Sequence, residues 1–415
     1  MSEFSTITRR LTAMEPLLPA SSRGELAELS VEIFRKSGEL KATLPATSVR
    51  RGVAEVVRQM NSYYSNLIEG HKTLPRDIER ALRDDLADRE EDRRNQLLSV
   101  AHIRAEAAMR RHLAEQPEIG VFQNEFIQWL HREFYEALPR NEWFTTSVSG
   151  KRHRMEPGRL RDHNVDVGRH QPPDHEILSD FMGRFNDFYS DPSIPASDRL
   201  IALAAAHHRL AWIHPFGDGN GRVARLQSQA AMIRCGLDAD GLWTLSRGLA
   251  RAQPAYFQHL QAADQGRRND FDGRGNLSDA ALSSFCRFFL ERILDQIDFM
   301  TRLISPFKLL DRIESYLRFT RVDLDDKLRD HLVRLLKALC LEGDLPRGAV
   351  PAILGLKGTA SRVIIRRALD EGLVGSSSEK GPLHIAFPIK VVDSYFPQLF
   401  TDLQVDEPHH PIPLP

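Results

Sequence analysis

The run His214-Pro215-Phe216-Gly217-Asp218-Gly219-Asn220-Gly221-Arg222-Val223-Ala224-Arg225 places one histidine, one carboxylate, three glycines and two arginines within twelve residues. Both flanks read as helix. Before the run, Leu200, Ile201, Leu203, Ala204, Leu210 and Ala211 form an apolar stripe at helical spacing, with Ser197 as the expected N-cap. Pro215 ends that helix, because the residue before a proline is pushed out of the helical region. His214 therefore sits at a forced helix end. A second helix is expected from about Gly221 through Val223, Leu226, Ala230 and Ile233 to a stop at Gly236. A glycine-rich turn feeding a helix aims backbone N–H groups and the positive end of the helix dipole at one spot, which makes an anion site.

The side chains in the run suit phosphoryl chemistry. Gly217, Gly219 and Gly221 permit left-handed backbone and close approach to a ligand. Asp218 is a hard-oxygen donor for Mg²⁺, which holds substrate phosphates through one or two carboxylates. Arg222 and Arg225 lie three apart on the first turn of the second helix and can clamp phosphate oxygens bidentately. His214 is the only group in the run with an ordinary pKa near 7, so it is the natural general base. Singly, each feature is commonplace: a polar helix end, a surface turn, a solvated pair of arginines. Their order at a helix–turn–helix junction is what points to nucleotide chemistry. The run is neither a P-loop nor a dinucleotide fingerprint, since it lacks Gly-x-x-x-x-Gly-Lys and the Gly-x-Gly-x-x-Gly spacing after a strand.

The run resembles the signature of the Fic family, His-Pro-Phe-x-(Asp/Glu)-Gly-Asn-(Gly/Lys)-Arg-x-x-Arg, at every specified position. The resemblance implies a helical core that transfers AMP from ATP to a Ser, Thr or Tyr hydroxyl of a target protein. It implies that His214 deprotonates the hydroxyl, that Asp218 holds Mg²⁺ on the α and β phosphates, and that Gly219, Asn220 and Gly221 cradle phosphate. Arg222 and Arg225 would hold the β/γ end, with Val223 and Ala224 in the same nucleotide-binding turn. Phe216 would anchor the loop in the core. Gly221, where family kinases tend to carry Lys, favours nucleotidyl transfer.

Three further segments extend the resemblance. Ser65-Asn66-Leu67-Ile68-Glu69-Gly70 follows a helical run through Ala54, Val57, Met60 and Tyr64. By itself Glu69-Gly70 reads as a helix C-terminus with a glycine stop. It is also similar to the Fic inhibitory motif, (Ser/Thr)-x-x-x-Glu-(Gly/Asn), which implies an ion pair between Glu69 and Arg225 that makes ATP bind unproductively. Pro157-Gly158-x-x-Arg161 leads to Val165-Asp166-Val167-Gly168 and Pro172-Pro173. The alternation of Val165 and Val167 predicts a short strand with turns, either a plain hairpin or an edge that pairs with an extended target segment. It resembles the Fic flap, which adds Val165, Asp166, Val167 and Gly168 to the nucleotide site. Tyr256-Phe257 and Asp264 stand where the family borders the adenosine, although an aromatic pair in a helix equally reads as core.

The whole chain sets the frame. Its 415 residues suffice for two or three domains. Lys plus Arg number 56 against 57 Asp plus Glu, so nucleic-acid binding would have to rest on a local patch. Cys235, Cys286 and Cys340 have no metal spacing and read as buried thiols of a reducing compartment. No apolar run reaches transmembrane length and Met1-Ser2-Glu3 opens no signal peptide, so a cytoplasmic protein without membrane contact is expected. Residues 76–94 read as a solvated, mixed-charge stretch. Residues 270–276 faintly resemble a calcium loop, but Arg274 and Ala281 occupy ligand positions, so a turn before a helix over 278–303 is expected. His207-His208 is no metal pair, since helical neighbours point apart. Residues 409–415 read as a tail.

In the last third, Leu332, Leu335, Leu336 and Leu339 mark a helix. Two short helices are expected over 346–354 and 359–371, then two apolar segments at Leu373-Val374 and Leu383-His384-Ile385. That order resembles a winged helix–turn–helix. Arg362, Arg366 and Arg367 on its second short helix would meet DNA phosphates, or the unit docks a protein; Asp370, Glu371 and Glu379 dilute its positive charge. The expected fold is mainly α: an N-terminal helical region with the inhibitory motif (1–115), a Fic-type catalytic core with a small β-hairpin flap (116–265), a helical extension (266–322), the winged helix (323–395) and a tail (396–415). The expected partners are ATP with Mg²⁺, a target protein, DNA at the winged helix, and a second copy of the chain. Two rival functions share these residues: removal of AMP from a modified protein, and a DNA-binding regulator whose core senses nucleotide.

Overall fold

A computed structural model describes residues 10–44, 46–146, 151–168 and 170–400. Two long helices come first, α1 (Arg23–Thr43) and α2 (Thr47–Ile68), followed by α3 (Pro75–Ala81) and α4 (Glu90–Glu115). Then come α5 (Asn124–Glu136), the hairpin β1 (Phe144–Thr146) and β2 (Arg152–Arg154), α6 (Leu178–Tyr189), α7 (Arg199–Ile213) and α8 (Asn220–Arg234). Helices α9 (Leu245–Arg251), α10 (Gln253–Ala263) and α11 (Asp279–Leu303) complete the bundle.

The helix that ends at His214 is the axis of this bundle. Nearly every residue of α7 is buried, and a helix enclosed on all sides belongs at the centre of its fold. Ala202, Ala204, Ala205 and Ala206 keep its surface shallow, so α6, α8 and α11 approach it directly. The polar residues it buries are all partnered. His207 bonds Ser228 and Tyr256, at 2.8 Å each, and Arg209 donates to the carbonyls of Pro16 and Ala263. Helix α8 lies against α7 and begins at Asn220, one residue before the expected start; Asp198, not Ser197, occupies the N-cap position of α7. Helix α11 is capped by Ser278, whose hydroxyl accepts the Ala281 N–H at 3.1 Å, and packs on α1, α7, α9 and α10.

The C-terminal part comprises α12 (Pro306–Ser315), α13 (Asp326–Glu342), α14 (Val350–Leu354), α15 (Gly358–Asp370), β3 (Val374–Ser376), β4 (Leu383–Ile385) and α16 (Ile389–Tyr395). Gly355 turns the chain between α14 and α15 at φ +66°, a conformation that glycine adopts without a Cβ clash. Strands β3 and β4 pair antiparallel, Val374 opposite Ile385, and Leu345 bridges to Leu383. This part covers one flank of α2. A Cβ on Gly52 would lie 3.1 Å from the Phe387 ring, and the Tyr64 hydroxyl donates to the Leu399 carbonyl at 3.2 Å. Helix α2 is thus held between the central bundle and the C-terminal part.

The expected strand at Val165 and Val167 does not form. Only an isolated bridge joins Val167 to His170, with both N–H···O bonds at 3.0 Å. Pro172 and Pro173 cannot donate to a ladder, so the pairing ends there. The hairpin lies earlier, Phe144 opposite Arg154, in a stretch whose Phe-Thr-Thr and Arg-His-Arg sequences lack apolar alternation. Among the described residues no helix is long and apolar enough to cross a membrane. Residues 1–3 and 409–415 lie outside the described residues.

Candidate active site

Pro215 stops α7, and His214 takes left-handed backbone angles, φ 51° and ψ 61°, while its N–H still bonds the Leu210 carbonyl. Such a conformation is costly for a residue with a Cβ, and Arg161 holds it in place. The Arg161 guanidinium donates to the His214 carbonyl at 2.9 Å and also to the carbonyls of His163 and Pro173, while its backbone N–H donates to Pro215. Arg161 was visible in sequence only as part of the flap pattern; its clamp on the helix end depends on the tertiary fold. Burial, with His170 and the Arg161 guanidinium nearby, pushes the His214 imidazole down to about 4. It is therefore neutral at physiological pH.

The turn beyond His214 rests on a ring stack. Phe216 is fully buried and stacks on His131 at 4.0 Å, and His131 stacks on Tyr135 at 4.6 Å. His131 and Tyr135 are four apart on α5, so both face the turn. The Tyr135 hydroxyl donates to Asp218 Oδ2 at 2.8 Å, and the Gly219 N–H donates to Oδ1 at 2.7 Å. Desolvation works against the Asp218 charge, but Arg222 and these two donors outweigh it and hold the carboxyl below its ordinary value. Asn220 locks the turn: its side chain accepts from the Phe216 N–H and donates to the Phe216 carbonyl, both at 2.9 Å. Its amide is spent on the turn, which leaves the backbone N–H groups at the start of α8 to meet an anion. Of the three glycines only Gly219 adopts positive φ, at +78°, and a Cβ there would lie 2.7 Å from the Tyr135 ring.

Arg222 and Arg225 are buried on α8, and the end of α2 engages both. Arg225 donates to Ser65 Oγ at 3.0 Å, to the Ser65 carbonyl at 2.8 Å and to Glu69 Oε1 at 2.7 Å. Arg222 donates to Asn66 Oδ1 at 3.1 Å. Glu69 is the C-cap of α2, and Gly70 follows at φ +84°. Desolvation opposes the Glu69 charge, yet Arg225 and Arg222 hold its pKa below the usual value. Its side chain is 32% exposed, against 2% for Arg225. Gly221 lies directly under this carboxylate, and a Cβ there would overlap Glu69 Oε1. The sequence signals the Glu69–Arg225 pair; Ser65 and Asn66 as partners of the arginines emerge only here.

Other expected site residues divide. Val223 and Ala224 point into the core. Val165, Asp166, Val167 and Gly168 form an irregular loop, tied near the end of α7 by His170 Nε2, which donates to the Trp212 carbonyl at 2.7 Å. Tyr256 is buried with its hydroxyl on His207, and Asp264 pairs with His208 at 3.2 Å. Only Phe257 of this trio is exposed, at 42%. Among the described residues no group of three His, Cys, Asp or Glu side chains forms a metal cage.

Residues 121–231, from just before α5 to within α8, match the Fic/DOC family. The chain contains a Fic domain. A protein adenylyltransferase Fic from Nematostella vectensis is 44% identical over 91 residues, 21% of this chain and 21% of that protein. The protein adenylyltransferase fic-1 of Caenorhabditis elegans is 38% identical over 89 residues, 21% of this chain and 18% of that protein. The chain thus spans about a fifth of the length of the curated relatives it matches. A crystal structure of a Fic family protein from Desulfovibrio desulfuricans G20 superposes with a TM-score of 0.51 at 15% identity, covering 90% of this chain and 99% of that one. The fold around the Fic domain is therefore the Fic fold, mainly helical with small β elements.

Proposed function

We propose that the Fic domain is a protein adenylyltransferase that moves AMP from ATP to a Ser, Thr or Tyr hydroxyl and is held in check by Glu69. The observation that carries this reading is the shared geometry of one turn. A neutral histidine and an ionised aspartate lie beside two buried arginines, and the Glu69 carboxylate sits on Arg225. In this reading the His214 imidazole takes the proton of the target hydroxyl as its oxygen attacks the α-phosphorus. The bond from the α-phosphorus to the bridging oxygen breaks, and pyrophosphate leaves. The backbone at Gly219, Asn220 and Gly221 receives phosphate oxygens, and Arg222 and Arg225 hold the β/γ end once Glu69 withdraws. Phe257 borders the adenosine from its exposed position on α10. We place the protein in a reducing, cytoplasmic setting on its free thiols.

The donors at Asp218 fit Mg²⁺. One ionised, solvent-facing carboxylate without a surrounding cage suits a cation shared with substrate phosphates. When bound, that ion neutralises phosphate charge; Asp218 holds it, and Tyr135 and the Gly219 N–H keep Asp218 oriented. Asp218→Ala is expected to weaken triphosphate binding in Mg²⁺ but not in EDTA, as read by calorimetry. Tyr135→Phe keeps the ring stack and loses one bond to Asp218. It should raise the Mg²⁺ concentration for half-maximal labelling several-fold, in line with about 1 kcal/mol for one such bond. Equal activity in EDTA and Mg²⁺ defeats the assignment.

A second reading has its own support. Glu69 uses only Oε1 on Arg225, and its side chain is partly open to water. A water oriented by Oε2 would attack the phosphorus of an AMP-modified side chain and break its bond to the side-chain oxygen, which takes up a proton as AMP leaves, and the site would act as a deAMPylase. Labelling with α-³²P-ATP in lysate, with wild type, Glu69→Gly and His214→Ala side by side, separates the two. Label rising in Glu69→Gly supports transfer; loss of AMP removal with no rise supports hydrolysis.

We read the C-terminal part as a winged helix. Its groove of about 790 Å³, between α15 and the β3–β4 turn, carries Arg347, Arg362 and Arg366 beside Asp370 and Glu379. Arg367 is taken up by Glu371 at 2.8 Å. This mixed lining suits a docked protein or a short DNA contact. A regulator with a nucleotide-sensing core would bind its own promoter specifically and transfer no label as Glu69→Gly.

A further inference from the structure

Residues 151–163 carry five Lys or Arg and two His against two acids, in a chain whose net charge is −1. The fold folds this run back beside the catalytic turn. Among the described residues, strand β2 has β1 as its only neighbour in a two-stranded sheet. On one face of the hairpin, Thr145 opposite His153, the Thr145 side chain comes within 3.5 Å of where a Cβ on Gly217 would stand. His153 stacks on His163 at 3.9 Å. On the other face, Arg152 lies over the Phe144 ring at 4.0 Å. Gly217 follows His214 by three residues, so the hairpin abuts the turn that bears the base.

Below β2 lies a pocket of about 180 Å³, lined by Arg154, Arg159, Arg161, Asp162, His163 and Gly217 among others. That is below the roughly 300 Å³ at which small-molecule sites begin, so it fits one side chain and not a nucleotide. Its charges are unevenly used. Arg159 pairs with Glu156, Asp162 with His163, and Arg161 is committed to three carbonyls. Arg154 is exposed and has no hydrogen-bond or ion-pair partner among the described residues. A cation without a partner, on a basic strand beside the attacking group's base, calls for an anion from outside.

We propose that the β1–β2 hairpin and the pocket beneath it dock the target protein through an Asp or Glu side chain near the hydroxyl to be modified, with Arg154 as its counter-ion. The inference rests on the transferase reading of the site and adds a substrate preference to it: acidic target segments. Electrostatic complementarity of this kind contributes selectivity and faster encounter.

The test uses the full chain carrying Glu69→Gly. Three fluorescent probes are compared: a peptide with one Thr flanked by Asp and Glu, its Asn/Gln isostere, and a single-stranded RNA of equal charge. Binding is read by anisotropy without ATP, and transfer by label from α-³²P-ATP. The acidic peptide should bind about tenfold tighter than the isostere at about 50 mM NaCl, with the gap closing by about 500 mM as the charges are screened. Arg154→Glu should abolish the preference without lowering the melting temperature, since Arg154 is exposed. Should Arg154→Glu misfold, Arg154→Gln replaces it. Equal binding of both peptides overturns the proposal, as does a preference that survives at Arg154 variants. RNA binding that matches the acidic peptide and vanishes with Arg154→Glu also overturns it, by making the patch a nucleic-acid site. An Arg154-dependent peptide preference with no label transferred to any peptide upholds the docking and defeats the transferase reading.

Discussion

Replacing His214 by alanine is expected to lower the proposed AMP transfer by about 10²–10⁴-fold, the usual contribution of a positioned general base. Nucleotide affinity should stay nearly intact, because in the proposed reading the imidazole acts on the incoming hydroxyl and not on the phosphates. The backbone of the turn also survives: Arg161 holds residue 214 through its carbonyl, and Asn220 ties the loop to Phe216. Calorimetry with ATP checks this, and loss of all ATP binding in His214→Ala would reveal a fold defect instead. The same residue sets a pH dependence. In the proposed reading the neutral imidazole is the base, and burial with His170 and Arg161 nearby lowers its pKa from 6.5 to about 4. The reactive form therefore persists as pH falls below 6.5. The acidic limb of kcat/KM, which reports the free enzyme, should lie well under pH 6. A limb at 6.5 would show that His214 titrates as an open surface histidine.

Glu69→Gly should raise labelling by about 5- to 150-fold, the range matched by the roughly 1–3 kcal/mol of a partly buried arginine–carboxylate bond. The gain depends on what remains. Ser65 still bonds Arg225 through its hydroxyl and carbonyl, so the guanidinium keeps its aim when Glu69 is gone. Arg225→Ala should lower labelling even though it also breaks the ion pair, because in the proposed reading the arginine serves the γ-phosphate. The double variant Glu69→Gly/Arg225→Ala should behave as Arg225→Ala alone. Additive effects of the two substitutions would show that Glu69 restrains the site by another route. A Glu69→Gly protein no more active than wild type, and unable to strip AMP from a modified protein, transfers the argument to hydrolysis.

Much of this arrangement is local. Pro215 ends α7, Gly219 supplies a left-handed turn position without a Cβ, and the periodicity of 199–234 yields two helices around the turn. The C-terminal elements also follow local signals: Gly355 and Gly372 stop α14 and α15 at positive φ, and the apolar segments that become β3 and β4 are bounded by turn residues. The hairpin was illegible for the opposite reason. Its strands are three residues each and mostly polar, so no alternation marks them.

The residues we propose as base, metal-holding carboxylate, phosphate clamps and brake, His214, Asp218, Arg222, Arg225 and Glu69, were legible in the sequence alone, because each belongs to a short motif whose order survives without the fold. What only the tertiary structure decided is which of them are already occupied. Asn220 is turned inward on Phe216, Tyr256 and Asp264 are consumed by His207 and His208, and Arg222 and Arg225 are both engaged by α2. It also supplied Tyr135 under Asp218, Arg161 on the His214 carbonyl and Arg154 without a partner among the described residues. The contacts of Tyr135, Arg161, Arg222 and Arg225 join residues 53 to 160 positions apart. A hydrogen bond between such residues is set by the packing of whole helices, and side-chain spacing along the chain carries no record of it.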